Sequence, residues 1–314
     1  MIKRRTFRIT LLSIEIILAI SVILFFYLNT TVKTEKIIYI PQGSIKSIVA
    51  HLSKEGHDIN RFDSFILRLL GSPQSGWIDI GSKALSKGEF LYRLTRAKAA
   101  TRTVTFIPGD TTYVVLDRLS EQFGLDRQKL QDEYDRRAPY PDGVIIPDTY
   151  NLPMGFDEAQ MIGYILDYSI KRHKALAKNH GKEYTDAAWF RIITIASIIQ
   201  KEAANNEEMP LVASVIFNRL KKKMRLQMDG ALNYGEYSNT RITSRRIKSD
   251  TSAFNTYKRR GLPPHPVSIV STEAILAALF PTKSNYLYFV KNKKGTHTFS
   301  ETYRSHVNAI RNGK

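Results

Sequence analysis

The longest apolar run is Ile9 to Leu28, ITLLSIEIILAISVILFFYL, twenty residues interrupted by one charge, Glu15. That length matches the hydrocarbon core of a bilayer. Lys3, Arg4, Arg5 and Arg8 precede it, and Asn29, Thr30 and Thr31 follow. The basic flank places the N-terminus in the cytoplasm and exports the remainder. No small-x-small cleavage site follows the run, which favours a retained anchor over a cleaved signal. Glu15 is costly inside a membrane unless neutral or paired.

A second apolar run has a different character. In RIITIASIIQKEAA, Arg191 to Ala204, the residues Ile192, Ile193, Ile195, Ala196, Ile198 and Ile199 cover every side of a helix. A helix apolar all round is buried, and this one is too short to span a bilayer. Charge arrives abruptly at its end with Lys201 and Glu202. A carboxyl emerging from such a wall is partly desolvated, which favours its proton-carrying form. A general acid near neutral pH needs that form. The plainer reading makes Glu202 a helix-end carboxylate in solvent, and the helix alone leaves both open.

The remaining periodicity divides the chain. Residues 37–98 read as a small strand–helix–helix unit. IIYIPQG is a strand and turn, Ser44 caps IKSIVAHLSKEG, and Gly56 ends it. RFDSFILRLLG stops at Gly71, the short WIDIG follows, and LSKGEFLYRLTRAK reads as a third helix. Residues 99–103 read as a joint. A strand from Thr103 to Ile107 ends in Pro108-Gly109, and Thr111 or Thr112 caps a helix. GVIIPDTYNLP has little periodicity and many turn formers, so it is a shaped loop. Helices follow over Asp157–His180 and from Pro210, a favourable first-turn residue. The inner stripe of the latter is Leu211, Val212, Val215, Ile216 and Leu220. YLYFVKNKKGTHTFS alternates as a hairpin.

Composition narrows the chemistry. The chain has 314 residues, a formal net charge of +18 and no cysteine. The charge calls for an acidic partner: nucleic acid, anionic lipid or anionic cell-wall polymer. The missing cysteine removes disulfides, thiolate nucleophiles and cysteine metal sites. The histidines show no metal spacing, so neither a metal nor a cofactor is expected. Three loops carry the polar and aromatic groups that sugar binding uses: RLQMDGALNY with Gln227 and Asp229, FNTYKRRGLPPHPVS with Asn255 and Tyr257, and the hairpin with His297. Structural turns use the same residue types, and a lone hairpin histidine is more often structural.

In order, ASIIQKEA, VASVIFNRL, MRLQMDGALNY, NTYKRRGLPPHPVS and YLYFVKNKKGTHTFSETYRSH resemble the YceG-like endolytic murein transglycosylases, the MltG family. Upstream, PDGVIIPDTY resembles that family's EGxxxPDTY-type segment. The likeness covers about residues 103–306. It implies an α+β fold: an N-terminal transmembrane helix, a small LysM-like α/β module, then a mixed α/β catalytic domain. The expected domains are a cytoplasmic tail 1–8, the transmembrane helix 9–28, the LysM-like module 37–98 and the catalytic domain 103–314. Departures are specific. The family commonly has ASIIEKE where Gln200 and Glu202 stand here, and DPT where this chain has Asp229, Gly230 and Ala231. Asp142-Gly143 stands where Glu-Gly is usual, and no clear KAGxY segment lies near Gly81. A helix wheel turns Gln200 toward the stripe of Trp189, Ile193 and Ala196 and turns Glu202 away from it.

The resemblance implies cleavage of the β-1,4 bond after N-acetylmuramic acid inside a glycan strand, leaving a 1,6-anhydro end. Glu202 is then the catalytic acid, and Gln227, Asp229, Asn255 and Tyr257 are the expected substrate-binding residues. Peptidoglycan glycan strands are the expected partner, with peptidoglycan synthases as candidate protein partners and no nucleic acid. The expected location is the bacterial inner membrane, single-pass, with the catalytic domain outside the cytoplasm. Two rivals stand beside this. A non-catalytic peptidoglycan-binding protein would keep the fold but not the acid. A membrane-anchored nucleic-acid binder rests on charge alone and lacks a recognition motif.

Overall fold

The structure, a computed structural model, describes the backbone of residues 2–313 and the side chains of 7–8 and 10–312. The side chains of Lys3, Arg4 and Arg5, part of the expected cytoplasmic tail, lie outside the described residues. Two units are distinguished: residues 1–102 with 151–155, and residues 103–150 with 156–314.

The first apolar run forms α1 (Ile2–Leu28), whose stretch Thr10–Leu28 is long and apolar enough to cross a membrane. The rest of this unit is β1 (Thr31–Lys33), β2 (Ile37–Ile40), α2 (Ile45–Lys54), α3 (Asp63–Leu70), β3 (Gly76–Asp79), β4 (Ala84–Ser86), α4 (Lys87–Arg96) and β5 (Lys98–Ala99). Ser44 caps α2 by accepting from the Ser47 N–H, and Gly71 closes α3. The strands β2, β3 and β5 form an antiparallel sheet in that order, with Ile38 opposite Ile78. Helices α2, α3 and α4 bury Ile48, Leu52, Leu67, Phe90 and Leu94 with Ile40 and Ile78. One feature differs from the expectation. Leu85 and Ser86, read as the start of a helix, belong to β4, which pairs with β1 so that Leu85 lies opposite Val32. Ser86 then caps α4 on the Glu89 N–H. The division between the units falls at 102/103, inside the expected joint 99–103, which is strand over most of its length, in β5 and the start of β6. Three-residue strands carry too little alternation to be read from sequence.

The chain leaves this unit along β6 (Thr101–Thr105) and dips back along β7 (Thr149–Pro153). The second unit holds α5 (Thr112–Phe123), α6 (Arg127–Arg137), α7 (Glu158–Asn179), α8 (Asp186–Glu202), α9 (Met209–Lys221), α10 (Ser244–Ser249) and α11 (Thr272–Leu279). It ends in the hairpin β8 (Tyr288–Lys291) and β9 (His297–Ser300), then α12 (Tyr303–Gly313). Thr111 caps α5, Asp157 makes a capping box on α7, and Pro210 sits in the first turn of α9. Helix α8 is central, packing on α9 and α11. Ile193, Ile195, Ala196, Ile198 and Ile199 are fully buried, as a helix apolar on all sides requires.

The segment read as a shaped loop, 143–153, is loop only in its first part, since Thr149–Pro153 is strand β7; that first part is tied to α8. Trp189 Nε1 donates to His173 Nδ1 at 3.0 Å, and His173 Nε2 meets the Val144 carbonyl at 2.9 Å. Both ring nitrogens are used by a neutral imidazole. Burial lowers the His173 pKa to about 4, so it stays neutral. Asp142 Oδ1 accepts from Thr112 Oγ1 at 2.8 Å and from the Gly143 N–H at 2.7 Å, fixing the loop to the start of α5. Gly143 has φ +81°, and a Cβ there would lie 2.7 Å from Ile193 Cγ2 and 2.8 Å from Pro266 Cβ. Gly143→Ala is therefore expected to cost about 2–4 kcal/mol, from overpacking and the left-handed backbone together. Urea unfolding of the two proteins measures this, and equal midpoints and slopes would contradict it.

Candidate active site

Glu202 is the last residue of α8. Seven residues of buried helix precede it, from Ile193 to Ile199, and the chain then turns away at Ala203. Its carboxyl is half-buried. Among the described residues, the donor it accepts from is the Gly230 N–H, which reaches Oε1 at 2.7 Å. Burial raises the Glu202 pKa to about 7; the Gly230 N–H opposes the rise, and the nearby Asp229 charge adds to it. A carboxyl with that pKa is half-protonated near neutral pH, so it can give a proton and take one back. The solvated helix-end reading does not describe this group.

The Gly230 backbone lies very close to α8. A Cβ on Gly230 would stand 2.4 Å from Lys201 Cβ and 3.1 Å from Glu202 Oε1. Gly230 is thus a contact residue. It belongs to a short 3-10 turn, Asp229–Leu232. That turn is held from both sides. Arg219, buried on α9, donates to the Leu226 carbonyl at 2.6 Å and to the Leu287 carbonyl at 2.6 Å. Thr256 Oγ1 accepts from the Met228 N–H at 2.9 Å and donates to the Met228 carbonyl at 3.1 Å.

The other expected residues divide into two groups. Asp229 is exposed, and its Oδ1 accepts from the Tyr257 hydroxyl at 2.5 Å. This pair sits one residue from the Gly230–Glu202 bond. Burial, then the hydrogen bond to Asp229, raises the Tyr257 pKa, so its hydroxyl stays a donor. Gln227 is exposed and holds a left-handed backbone, φ +50°. Such strain in a non-glycine residue persists only where surrounding contacts enforce it; its N–H is fixed to the Thr256 carbonyl at 3.2 Å. Asn255 is 0 % exposed. Its amide donates to the carbonyls of Ile247 and Asp250 at 2.8 Å each, and its Oδ1 accepts from the Tyr257 N–H at 3.1 Å. With these bonds made in the interior, Asn255 faces its own loop and orders the backbone that presents Tyr257.

Neighbouring groups show what sequence reading missed. Gln200 Oε1 accepts from the Ser271 N–H at 3.1 Å, joining α8 to the cap of α11. His297 pairs with Glu208, Nδ1 to Oε2 at 2.7 Å, and its N–H also meets that carboxylate; this links β9 to the start of α9. Lys201 donates to the Ser238 carbonyl at 3.1 Å, and burial lowers its pKa. Asp142, whose pKa burial raises to about 7, opposes the Lys201 shift electrostatically. Arg219 was hidden inside the apolar stripe of α9; the only hint was a cation three residues after Ile216. Among the described residues no group of three or more acidic or histidine side chains is placed to hold a metal ion.

Two outcomes follow from this geometry. Gly230→Ala is expected to lose about 1–3 kcal/mol, because the turn must move off Lys201; a change within about 0.5 kcal/mol, the ordinary surface range, would refute the close-contact reading. The second concerns Glu202→Gln. The folded carboxyl titrates near 7, above its ordinary value of 4.5. Its contribution is therefore complete below the lower value and is lost as pH rises through the higher one. Glutamine does not titrate. Glu202→Gln should gain stability relative to the natural protein between those two values and hold a gain of roughly 1–3 kcal/mol above pH 7. Thermal unfolding across pH measures it, and a difference independent of pH would rule out the raised pKa.

Comparison with known proteins covers this whole arrangement. Over 309 residues the chain is 28% identical to an endolytic murein transglycosylase of Bacillus subtilis, with 88% of this chain and 84% of that protein aligned. Over 159 residues it is 33% identical to an endolytic murein transglycosylase of Streptococcus pneumoniae serotype 2, with 48% of this chain and 28% of that protein aligned. The crystal structure of a yceG-like protein from Listeria monocytogenes superposes with a TM-score of 0.55 at 25% identity, covering 88% of this chain and 99% of that one. The YceG-like family profile matches residues 38–312, which run from β2 into α12 and include Glu202 and the turn that binds it, and the chain belongs to the YceG-like family.

Proposed function

We propose that this chain is a membrane-anchored, endolytic peptidoglycan lytic transglycosylase. The carrying observation is the Glu202 carboxyl, which burial holds near neutral pKa while the Gly230 N–H fixes its orientation. The names of the relatives support peptidoglycan as the substrate class.

The reaction cleaves the β-1,4 bond between N-acetylmuramic acid and N-acetylglucosamine within a strand. Glu202 protonates the leaving O4 as the C1–O4 bond breaks. The sugar's own C6 hydroxyl attacks C1, and Glu202, now a carboxylate, accepts its proton. One proton has moved from O6 to O4, no water is consumed, and a 1,6-anhydro ring remains. A single carboxyl suffices because the nucleophile is supplied by the substrate; two-carboxylate glycosidases need the second group to attack or to activate water. The Gly230 N–H bond is strongest to the carboxylate, so it aids the moment when Glu202 has lost its proton. Asp229, Tyr257 and Gln227 hold the saccharides beside it, and Asn255 sets the Tyr257 loop.

The anchor is α1, with residues 1–8 in the cytoplasm of the bacterial inner membrane and the catalytic domain 103–314 outside it. Residues 37–98 form the LysM-like module; the β2–α2–α3–β3 order supports that reading. Cutting inside nascent strands ends their elongation, which makes peptidoglycan synthases the natural protein partners.

Incubating the full-length protein with intact glycan strands and weighing the products tests this. New ends should be 1,6-anhydro, lighter by one water than hydrolytic ends, and should arise within long strands. Glu202→Gln should lower the rate by about 100- to 10,000-fold, while Gln200→Glu, which can still accept from Ser271, should be tolerated. Hydrated reducing ends would make the enzyme a hydrolase, with Asp229 the first candidate base. Binding without any cleavage by the natural protein would make it a peptidoglycan-binding protein instead.

A further inference from the structure

Helix α3 has an unusual outer face. Its inner side buries Asp63, Ser64 and Leu67. On its outer side Phe62 is 50%, Phe65 60% and Leu69 88% exposed. Their spacing of three and four puts them on one face. Arg61 and Arg68 are exposed beside them, with the Arg68 guanidinium 5.6 Å from the Phe65 ring centre. A groove of about 760 Å³ runs between α2 and α3, lined by Lys46, Arg61, Arg68, Phe65 and Asn60 among others, with no carboxylate in its wall. Large aromatics ringed by cations are the composition of a helix lying in a membrane interface.

The position of α3 relative to α1 makes this specific. Tyr27 lies in the last turn of the apolar span Thr10–Leu28. Its hydroxyl donates to Asp63 Oδ1 at 2.9 Å and accepts from Asn60 Nδ2 at 3.0 Å. Its ring meets the Phe62 ring edge-on, centroids 5.4 Å apart, and the buried Lys87 ammonium sits 4.4 Å from its ring centre. Leu28 packs against the core of the same unit. The span and the start of α3 are therefore joined by side-chain contacts, not by a free linker. A tyrosine ending a span lies at headgroup depth. Phe62 touches that ring, and Asn60 both touches it and lines the groove, so the Asn60 end of the groove lies beside the end of the span.

We propose that α3 and the α2–α3 groove form a second membrane contact. Phe62, Phe65 and Leu69 enter the boundary between headgroups and acyl chains. Lys46, Arg61 and Arg68 take the phosphates of anionic phospholipids in the leaflet from which α1 emerges. The module is thereby held flat on the bilayer instead of swinging from α1. This rests on the reading of α1 as a membrane span, and the experiment separates the two.

The chain contains no cysteine, so single cysteines label cleanly. Full-length Phe65→Cys, Leu69→Cys and Ile17→Cys each carry a nitroxide in vesicles rich in phosphatidylglycerol. Collisions with oxygen and with a water-soluble nickel chelate report lipid or water. The first two positions are exposed and lie outside the buried core, so their labels leave that core intact. All three labels should favour oxygen, those at 65 and 69 at shallow depth, and the latter two should shift toward nickel in uncharged phosphatidylcholine or with Arg61→Glu and Arg68→Glu together. A lipid-exposed label at 17 with water-exposed labels at 65 and 69 overturns the second contact and leaves the anchor intact. A water-exposed label at 17 overturns both. Labels at 65 and 69 that are shielded by added glycan strands but not by the vesicles would assign the groove to glycan and also overturn it.

Discussion

A carboxyl at the end of an apolar helix has to be stabilised by something other than bulk water, and here that something is one backbone N–H. Helix α8 buries all sides from Ile193 to Ile199, so Glu202 begins from a desolvated wall. Desolvation alone would keep it permanently protonated or drive it out to solvent. The Gly230 N–H at 2.7 Å lowers the cost of the charged form without abolishing the shift. The balance leaves the group able to hold either state near neutrality, which a single residue acting first as acid and then as base requires.

The rest of the unit serves that contact. The turn carrying Gly230 is positioned by Arg219 from α9 and by Thr256 from the loop after α10. Asn255 fixes the same loop from inside, and Tyr257 then reaches Asp229 across from it. Each step places the next by a hydrogen bond to backbone or to a fixed side chain. Backbone donors positioned by folding need little reorganisation when charge develops. The loop 142–146 packs from the other direction, with Gly143 against Ile193 and His173 bridging Val144 to Trp189.

Where periodicity or cap chemistry was strong, the elements could be read from sequence. Helix α8 declared itself by being apolar on every side, α5 by a cap at Thr111 or Thr112, of which the structure uses Thr111, and α9 by Pro210; α7 was expected over Asp157–His180. The β8–β9 hairpin followed from alternation. Short strands did not: β4 hid inside an apparent helix because its pairing with β1 depends on residues more than fifty positions away. The helix alone left Glu202 open between a desolvated acid and a solvated helix end, and it gave no sign of the Gly230 N–H that binds it. Gly230 stood out only as a departure from the family's DPT, whereas the structure requires it for close approach to Lys201. Arg219 and Asn255 failed in opposite directions. A buried cation sat in an apolar stripe, and an apparent surface amide was interior, since sequence carries residue type but not which carbonyls the fold brings near.

Direct titration of the Glu202 carboxyl tests the central claim most plainly. The infrared difference between the full-length natural protein and Glu202→Gln, followed across pH, isolates the one carboxyl stretch the two do not share. Half-protonation near pH 7 is the expected result. A midpoint near 4.5, the ordinary glutamate value, would show a solvated carboxylate and contradict the role assigned to burial at the end of α8.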